Sequence, residues 1–484
     1  MPNRSTTNSP PLTLKRFWLG GIALLILLLT LIIGNFFIPQ SKRLTGGMVG
    51  HDFLAFYAAG AFVREGRTHD LYDLEKVKAF QHELAAREQL EIGDSFGPFW
   101  NPPFYAWVFV PLAALPYRSA LLTWEAINAI AFIAAIALMI RMLVNGGAKL
   151  TSTRASEHAC PCHPGLNPSL TWRTWVLVPL LLITSMPLIQ ALTHGQNTPI
   201  SLFLLCLVAT FWQNRQSIPA GLTAGLLLYK PQLGLLVAVA VALTLGWRAV
   251  VALAVTGLAL FMTTVATLPG VITDYLAKMP GNLRQFQVEN VYLWDRHVTL
   301  RAFWRLLLQG RAPGEMTPLC KACWLMSCTL IAALLVRAWW NRRKPSPVTD
   351  HTLFIAAVIA AMPLLMPFYF DYDLLLISVS ALLYAGTRLR DQAAGRHPLP
   401  LDRWLTRAWV ALYLWLMFNS TIARLTGVNG TVVLLSIVAG LLAHRAGDLP
   451  LPHAPKIAFA QSTPPRVGEG RGEGLEHGAS TVFY

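Results

Sequence analysis

The sequence predicts an all-α polytopic membrane protein, a bundle of about twelve transmembrane helices. Three observations predict it. Of 484 residues, 54% are hydrophobic and only 13% are charged, against about 25% charged in soluble domains. Apolar runs long enough for spans recur along the chain. Basic residues concentrate in alternate connections, as the positive-inside bias requires. The net charge of +15 is read the same way, with contact to anionic lipid added. No nucleic-acid-binding module is visible to give it another meaning.

Residues 1–16 form a cytoplasmic N-terminus. Phe17 to Ile38 follows Lys15 and Arg16. At about 22 residues it is too long for the apolar core of a signal peptide and has no small-residue cleavage site, so it reads as a retained first span. Further runs lie near 119–140, 174–192, 198–213, 218–230, 231–246, 249–269, 319–340, 351–368, 373–386, 404–422 and 428–443. Arg141, Lys149, Arg154 and Arg173 flank one connection. Arg215, Arg248, Arg337, Arg342, Arg343 and Lys344 mark others, as do Arg388, Arg390, Arg396 and Arg403. The turns "THGQN" and "FYFDYD" carry no Lys or Arg. With the basic side in the cytoplasm, both termini are inside, provided that 103–115 ("FYAWVFVPLAALP") does not cross. That proline-bracketed run is expected to be a re-entrant or interfacial half-helix, tolerated where protein or water covers its backbone.

Two long segments, 39–102 and 270–318, then fall on the outer face. In "LYDLEKVKAFQHELAAREQL" (71–90), Leu74, Val77, Phe80 and Leu84 share one face, which predicts an amphipathic helix on the membrane surface. "FLAFYAAGAFV" (53–63) is apolar enough to dip into the interface. Residues 145–172 read as a polar linker and 446–484 as a disordered tail rich in Gly and Pro. "HACPCH" (158–163) matches no standard zinc spacing, and Cys320 and Cys323 open a span. Cys206 and Cys328 read as buried in spans.

Polar residues gather on the outer face. Asp52 precedes an apolar run, where Asp is a good helix N-cap; it is equally placed to be the centre of a site. "FWNPPF" holds Asn101, "LTHGQNTP" holds His194, Gln196 and Asn197, and "LYKPQ" puts Lys230 before Pro231. "NVYLWDRHVTLRAFWRL" carries Arg296, His297 and Arg301, and "MPFYFDYDLLL" carries Asp371 and Asp373. Ionisable residues near a bilayer are costly and usually line a cavity or pair with one another. Lys230 also suits a snorkelling anchor, the two aspartates suit a span cap, and the arginine-rich stretch suits a wet amphipathic helix. On a continuous helix Arg296 and Arg301 would share a face bordered by His297.

In this order, "HDFLAFYAAGAFVREGRTHDLYD", "NPPFYAWVFVPLAALP", "HGQNTPISLFLL", "AGLLLYKPQLGLL" and "MPFYFDYDLLLI" resemble glycosyltransferase family 87, a branch of the GT-C superfamily, over roughly 15–445, with 17–445 as the transmembrane transferase domain. The resemblance implies an inverting transferase at the outer face of a bacterial inner membrane. It implies a polyprenyl-phosphate donor, most often of mannose, and a lipid-linked or cell-envelope glycan as acceptor. It places the catalytic base on Asp52. Where many members show Asn-Gln-Ser before an apolar helix, this chain has Arg296-His297-Val298-Thr299.

The residues suit that chemistry. There is no Gly-rich phosphate loop for a nucleotide sugar. A carboxylate in partly apolar surroundings, with a raised pKa, would take the acceptor's proton. Lys230, Arg296, His297 or Arg301 would stabilise the departing phosphate. Tyr57, Asn101, Gln196, Asn197, Asp371 and Asp373 complete the candidate substrate-binding set. No metal or cofactor is expected, since basic partners serve a monophosphate leaving group. A lipid or sugar transporter with repeated broken helices, or a scaffold for surface-glycan assembly, are the alternatives.

Overall fold

Why the apolar runs become helices, and where they stop, follows from their punctuation. In the computed structural model, residues 49–152, 168–342, 351–393 and 395–447 are described. The expected first span, the stretch 158–163 and nearly all of the tail lie outside the described residues. The helices in chain order are α1 (Phe53–Arg64), α2 (Leu74–Glu88), α3 (Tyr117–Ser152), α4 (Pro168–Ile183), α5 (Met186–His194) and α6 (Thr198–Gln213). Next come α7 (Ser217–Leu226), α8 (Pro231–Leu245), α9 (Trp247–Thr267), α10 (Val271–Arg284), α11 (Leu300–Gln309) and α12 (Pro318–Asn341). The last are α13 (Thr352–Leu365), α14 (Ile377–Ala393), α15 (Pro400–Trp415), α16 (Asn419–Thr426) and α17 (Gly430–Gly447). No strand occurs among the described residues; one isolated antiparallel bridge joins His297 and Phe370.

Proline and hydroxyl residues set the breaks. Pro231, Pro318 and Pro400 open α8, α12 and α15 at the first turn, where a missing N–H costs nothing. Thr299 and Thr317 cap α11 and α12 with their side chains. Between α4 and α5 the chain bends by 58°. Thr184 and Ser185 turn their hydroxyls onto Leu180 O and Leu182 O there, satisfying carbonyls that the broken helix leaves free. The residues of α13 are buried from Thr352 to Leu364, as expected of a helix that is apolar all round and central to a bundle.

Among the described residues, five helices are long and apolar enough to cross a membrane: Tyr117–Leu143, Trp247–Thr267, Pro318–Asn341, Asp371–Gln392 and Gly430–Gly447. The bent pair adds a sixth if counted as one span. This is fewer than the twelve expected: the first expected span lies outside the described residues, and several of the other helices are short. Helices α6, α8 and α13 have 16, 15 and 14 residues, or about 21–24 Å of rise against a hydrocarbon core of about 30 Å.

Four local expectations are corrected. The run 103–115 is no half-helix: it forms 3₁₀ turns at Pro103–Phe109 and Leu112–Ala114, whose prolines interrupt an α ladder. Helix α2 forms where expected, with Asp73 as its side-chain cap. Its apolar face meets protein rather than lipid, because Val77 and Leu84 join a buried cluster with Phe62. Helix α1 is likewise buried from Phe53 to Val63 instead of lying in an interface. Helix α3 also continues to Ser152, into the stretch read as a linker.

Asp94 lies in the exposed loop beside Ser95, which contacts His51. Gln216 is exposed at the other end of α6, about 24 Å away along that helix. The positive-inside rule puts the Gln216 end, beside Arg215, in the cytoplasm. In a Cys-free background, Asp94→Cys should label with an impermeant thiol reagent in sealed cells, and Gln216→Cys only after permeabilisation. The reverse pattern would invert the topology.

Candidate active site

Two glycines let the segment carrying Asp52 dock on the turn between α5 and α6. Gly50 has φ +80° and Gly195 φ +70°, values that L side chains rarely adopt. A Cβ on Gly195 would lie 2.7 Å from Phe53 Cβ. The close approach allows Gly50 N to donate to Thr193 O at 2.8 Å and Asp52 N to His194 O at 3.0 Å. Two α3 side chains fasten both carbonyls: Tyr117 Oη donates to Gly50 O and Trp124 Nε1 to Gly195 O. Beneath them, Phe53 stacks on Trp124 and Phe56 on Phe109.

So held, Asp52 precedes α1 without capping it. Its Oδ2 accepts from Gln196 Nε2 at 2.8 Å and its Oδ1 faces His51 Nδ1 at 3.4 Å. The side chain is 27% exposed, so a substrate hydroxyl can reach it. Burial alone would raise its pKa. The hydrogen bonds from the His51 ring and the Gln196 amide oppose burial, and the carboxyl is held below the usual range. The raised value expected from the sequence is thus corrected: the surroundings are apolar, but the atoms touching the carboxylate are donors.

The 3₁₀ turn Asp371–Leu376 sets two further carboxylates at different angles. At three residues per turn, positions two apart diverge by about 120°. Asp371 faces Arg296 in a bidentate pair, Nε to Oδ2 at 3.1 Å and Nη2 to Oδ1 at 2.9 Å. Asp373 meets Lys230 Nζ at 3.3 Å and accepts from Thr198 Oγ1 at 2.8 Å. The bridge at Phe370, with Val298 N donating to Tyr369 O, brings the Arg296 turn against this one.

Both ion pairs connect to Asp52. Lys230 Nζ also donates to Gln196 Oε1 at 3.2 Å, and Gln196 holds Asp52. Arg296 Nη1 lies 3.1 Å from His194 Nε2. A guanidinium can only donate, so His194 Nε2 accepts, and its Nδ1–H serves Gln190 O at 2.8 Å. The structure therefore gathers Asp52, Gln196, Lys230, Arg296, Asp371 and Asp373 into one network. Neither aspartate of the 371–373 pair is a helix cap, and Lys230 does not snorkel: it is 6% exposed.

The other sequence candidates lie elsewhere. Tyr57 Oη donates to Leu115 O. Asn101 donates to Tyr229 O while its own carbonyl accepts from Tyr72. Asn197 donates to Tyr105 Oη. These three are buried tethers between elements. His297 is 1% exposed inside a box of Tyr292, Trp294, Phe368 and Phe370. Burial, helped by Arg296 and Arg301, pushes its pKa down to about 3, so it is neutral. Arg296 and Arg301 do not share a helix face, because Arg296 ends a 3₁₀ turn and α11 starts at Leu300.

Four participants had no role in the sequence-based set: His51, Gln190 and Thr198, which were not singled out, and His194, which was named only among the polar residues of its turn. His51 adjoins Asp52, and the other three flank "GQN". Proximity to those motifs was the available signal.

No curated protein matches this chain, and no solved structure does. The model of a family described as Glycosyltransferase family 87 matches residues 99–367. That span contains Gln196, Lys230 and Arg296. Asp52, Asp371 and Asp373 lie outside it and join the site through the contacts above. With more than half of its length matched, and with several membrane-capable helices, the chain belongs to glycosyltransferase family 87 and is a membrane glycosyltransferase.

Proposed function

We propose that the network around Asp52 is the reaction centre for transfer of a sugar, with mannose the leading candidate, from a polyprenyl-phosphate donor to a glycan hydroxyl, with inversion. The observation that carries this is the state of Asp52. It is partly exposed, does not cap a helix, has a donor on each carboxylate oxygen, and connects through Gln196 and His194 to two cations. The acceptor oxygen attacks the anomeric carbon while Asp52 Oδ1 takes its proton. The bond from that carbon to the phosphate oxygen breaks, and the phosphate departs with the electron pair. Such base catalysis contributes typically about 10²–10⁴-fold. The leaving phosphate needs charge stabilisation rather than a proton. Arg296, with a side chain 20% exposed, is assigned that role. Lys230 keeps Asp373 neutralised and aims Gln196. The site faces the periplasm of a bacterial inner membrane in this reading, and the acceptor is a lipid-linked or cell-envelope glycan.

Substitution at Asp52 separates a base from a scaffold. Asp52→Asn keeps the size and a Gln196 partner but cannot take a proton. It should lose at least about 10²-fold in kcat, with expression and detergent stability near wild type. Asp52→Glu should keep only a small residual rate. Near-native transfer by Asp52→Asn would remove Asp52 from the reaction.

Arg296→Lys keeps a charge but loses the fork to Asp371 and the contact to His194. A fall in kcat of about 10-fold or more is expected, measured with a polyprenyl-phosphate mannose donor; unchanged kcat would take Arg296 out of phosphate stabilisation.

The depressed pKa gives a pH signature. A carboxyl held below its usual range is ionised throughout the neutral range and loses its charge only as pH falls below about 4. The kcat/KM profile, which reports the free enzyme, should therefore be flat from about pH 8 to about pH 5. A limb requiring a deprotonated group near pH 6 or 7 would assign the base elsewhere.

A further inference from the structure

Tyr372 stands between the two aspartates of the site, and the contacts of the Asp52 network leave it without a task. In the 3₁₀ turn Asp371–Leu376 successive side chains diverge by about 120°. Asp371 turns to Arg296 and Asp373 to Lys230. Tyr372 takes the third direction. It is 5% exposed, and members of the network surround its ring. Lys230 Nζ lies 5.6 Å from the ring centroid, Arg296 Cζ 5.9 Å and the centre of the His194 ring 6.0 Å. Phe370 stacks on it at 5.2 Å.

The hydroxyl is the anomaly. A buried tyrosine normally finds a partner for it, and the other tyrosines buried around this site do. Tyr57, Tyr117 and Tyr369 donate to Leu115 O, Gly50 O and Asp373 O. Tyr105 accepts from Asn197, and Tyr229 pairs with Ser201. Among the described residues, Tyr372 Oη has no such partner. The charged group that acts on its phenol most strongly is Asp52, ahead of Asp373, Arg296 and Asp371. Phenol and carboxylate are therefore neighbours that do not bond each other.

A hydroxyl is the group that fits between them. A carboxylate can only accept, and a phenol O–H donates. A substrate hydroxyl serves both, giving its hydrogen to Asp52 while its oxygen accepts from Tyr372 Oη. We infer that Tyr372 is a further substrate-binding residue, whose hydroxyl donates to the attacking oxygen of the acceptor glycan. This rests on Asp52 as the base. The hydrogen bond aims the acceptor oxygen at the anomeric carbon. It strengthens as that oxygen loses its proton to Asp52 and negative charge develops on it. Tyr372 keeps its own hydrogen throughout.

The test is Tyr372→Phe, which keeps the ring, its stack on Phe370 and its contacts with the two cations, and removes only the oxygen. Transfer is measured from polyprenyl-phosphate mannose, with the glycolipid fraction of the source membranes titrated as acceptor. The acceptor kcat/KM should fall at least about 10-fold. The donor KM and the unfolding temperature in detergent should match wild type, which a ring needed only for packing would not separate from the loss of rate. Wild-type acceptor kcat/KM in Tyr372→Phe would overturn the inference. A loss carried by a raised donor KM would place the hydroxyl on the donor and overturn its assignment to the acceptor. Asp52→Asn is assayed beside it. An impaired Tyr372→Phe with a near-native Asp52→Asn would remove Asp52 as the base and leave the acceptor contact standing. An inactive Asp52→Asn with a native Tyr372→Phe would overturn the role of Tyr372 alone.

Discussion

Two aspartates two residues apart, both nearly buried, have to be neutralised, and most of the site follows from how that is done. Asp371 and Asp373 are 6% and 2% exposed. Each takes its cation from a different element, Arg296 from the turn before α11 and Lys230 from the start of α8. Removing one member of a buried pair typically costs about 3–5 kcal/mol, because the other charge is left uncompensated. The segments on which these residues sit are therefore held in one relative arrangement. The remaining capacity of Lys230, through Gln196, then orients the carboxylate of Asp52, while Arg296 contacts the ring of His194, whose backbone carbonyl accepts from Asp52 N. Charge that is expensive to bury becomes the means of positioning a group that must stay reachable.

Rigid packing supports this arrangement on the side away from solvent. Helix α1 is wrapped by aromatic rings: Phe56 and Phe109 stack at 4.8 Å, and Phe53, Tyr117 and Trp124 form a continuous patch. Such pairs contribute about 0.5–1.5 kcal/mol each beyond area burial. At the opposite end of the bundle a separate polar cluster joins Arg388, Asp391, Asp402 and Arg445. Some arginines that mark the cytoplasmic side by the positive-inside rule thus also tie α14, α15 and α17 together.

Helix positions were legible because apolar length and proline punctuation are local. The runs at 198–213 and 231–246 coincide with α6 and α8 almost residue for residue. Membership of the Asp52 network was legible in part: six of the named residues meet there, since polar residues on one face of a membrane protein tend to pair. The role of each was not. Whether Asp52 caps α1 or faces Gln196 depends on a contact 144 positions away. The sign of its pKa shift depends in part on Gln196, whose approach requires the glycine-mediated docking. Asn101 and Asn197 look like ligands in a one-dimensional reading and are structural ties, because burial is a property of the assembled bundle.

The loop 90–102 is pinned by one side chain. Gln81, fully buried on α2, donates to Gly97 O at 2.7 Å and accepts from Gly97 N at 2.9 Å, as a neighbouring strand would. The same loop sets Ser95 against His51 and packs Phe96 and Trp100 on Phe286. Displacing it means giving up two hydrogen bonds, about 1–3 kcal/mol in total, together with the ring contacts. An amide on α2 thereby fixes where Ser95 meets His51, so the immediate surroundings of Asp52 are set by a residue that contacts neither of them.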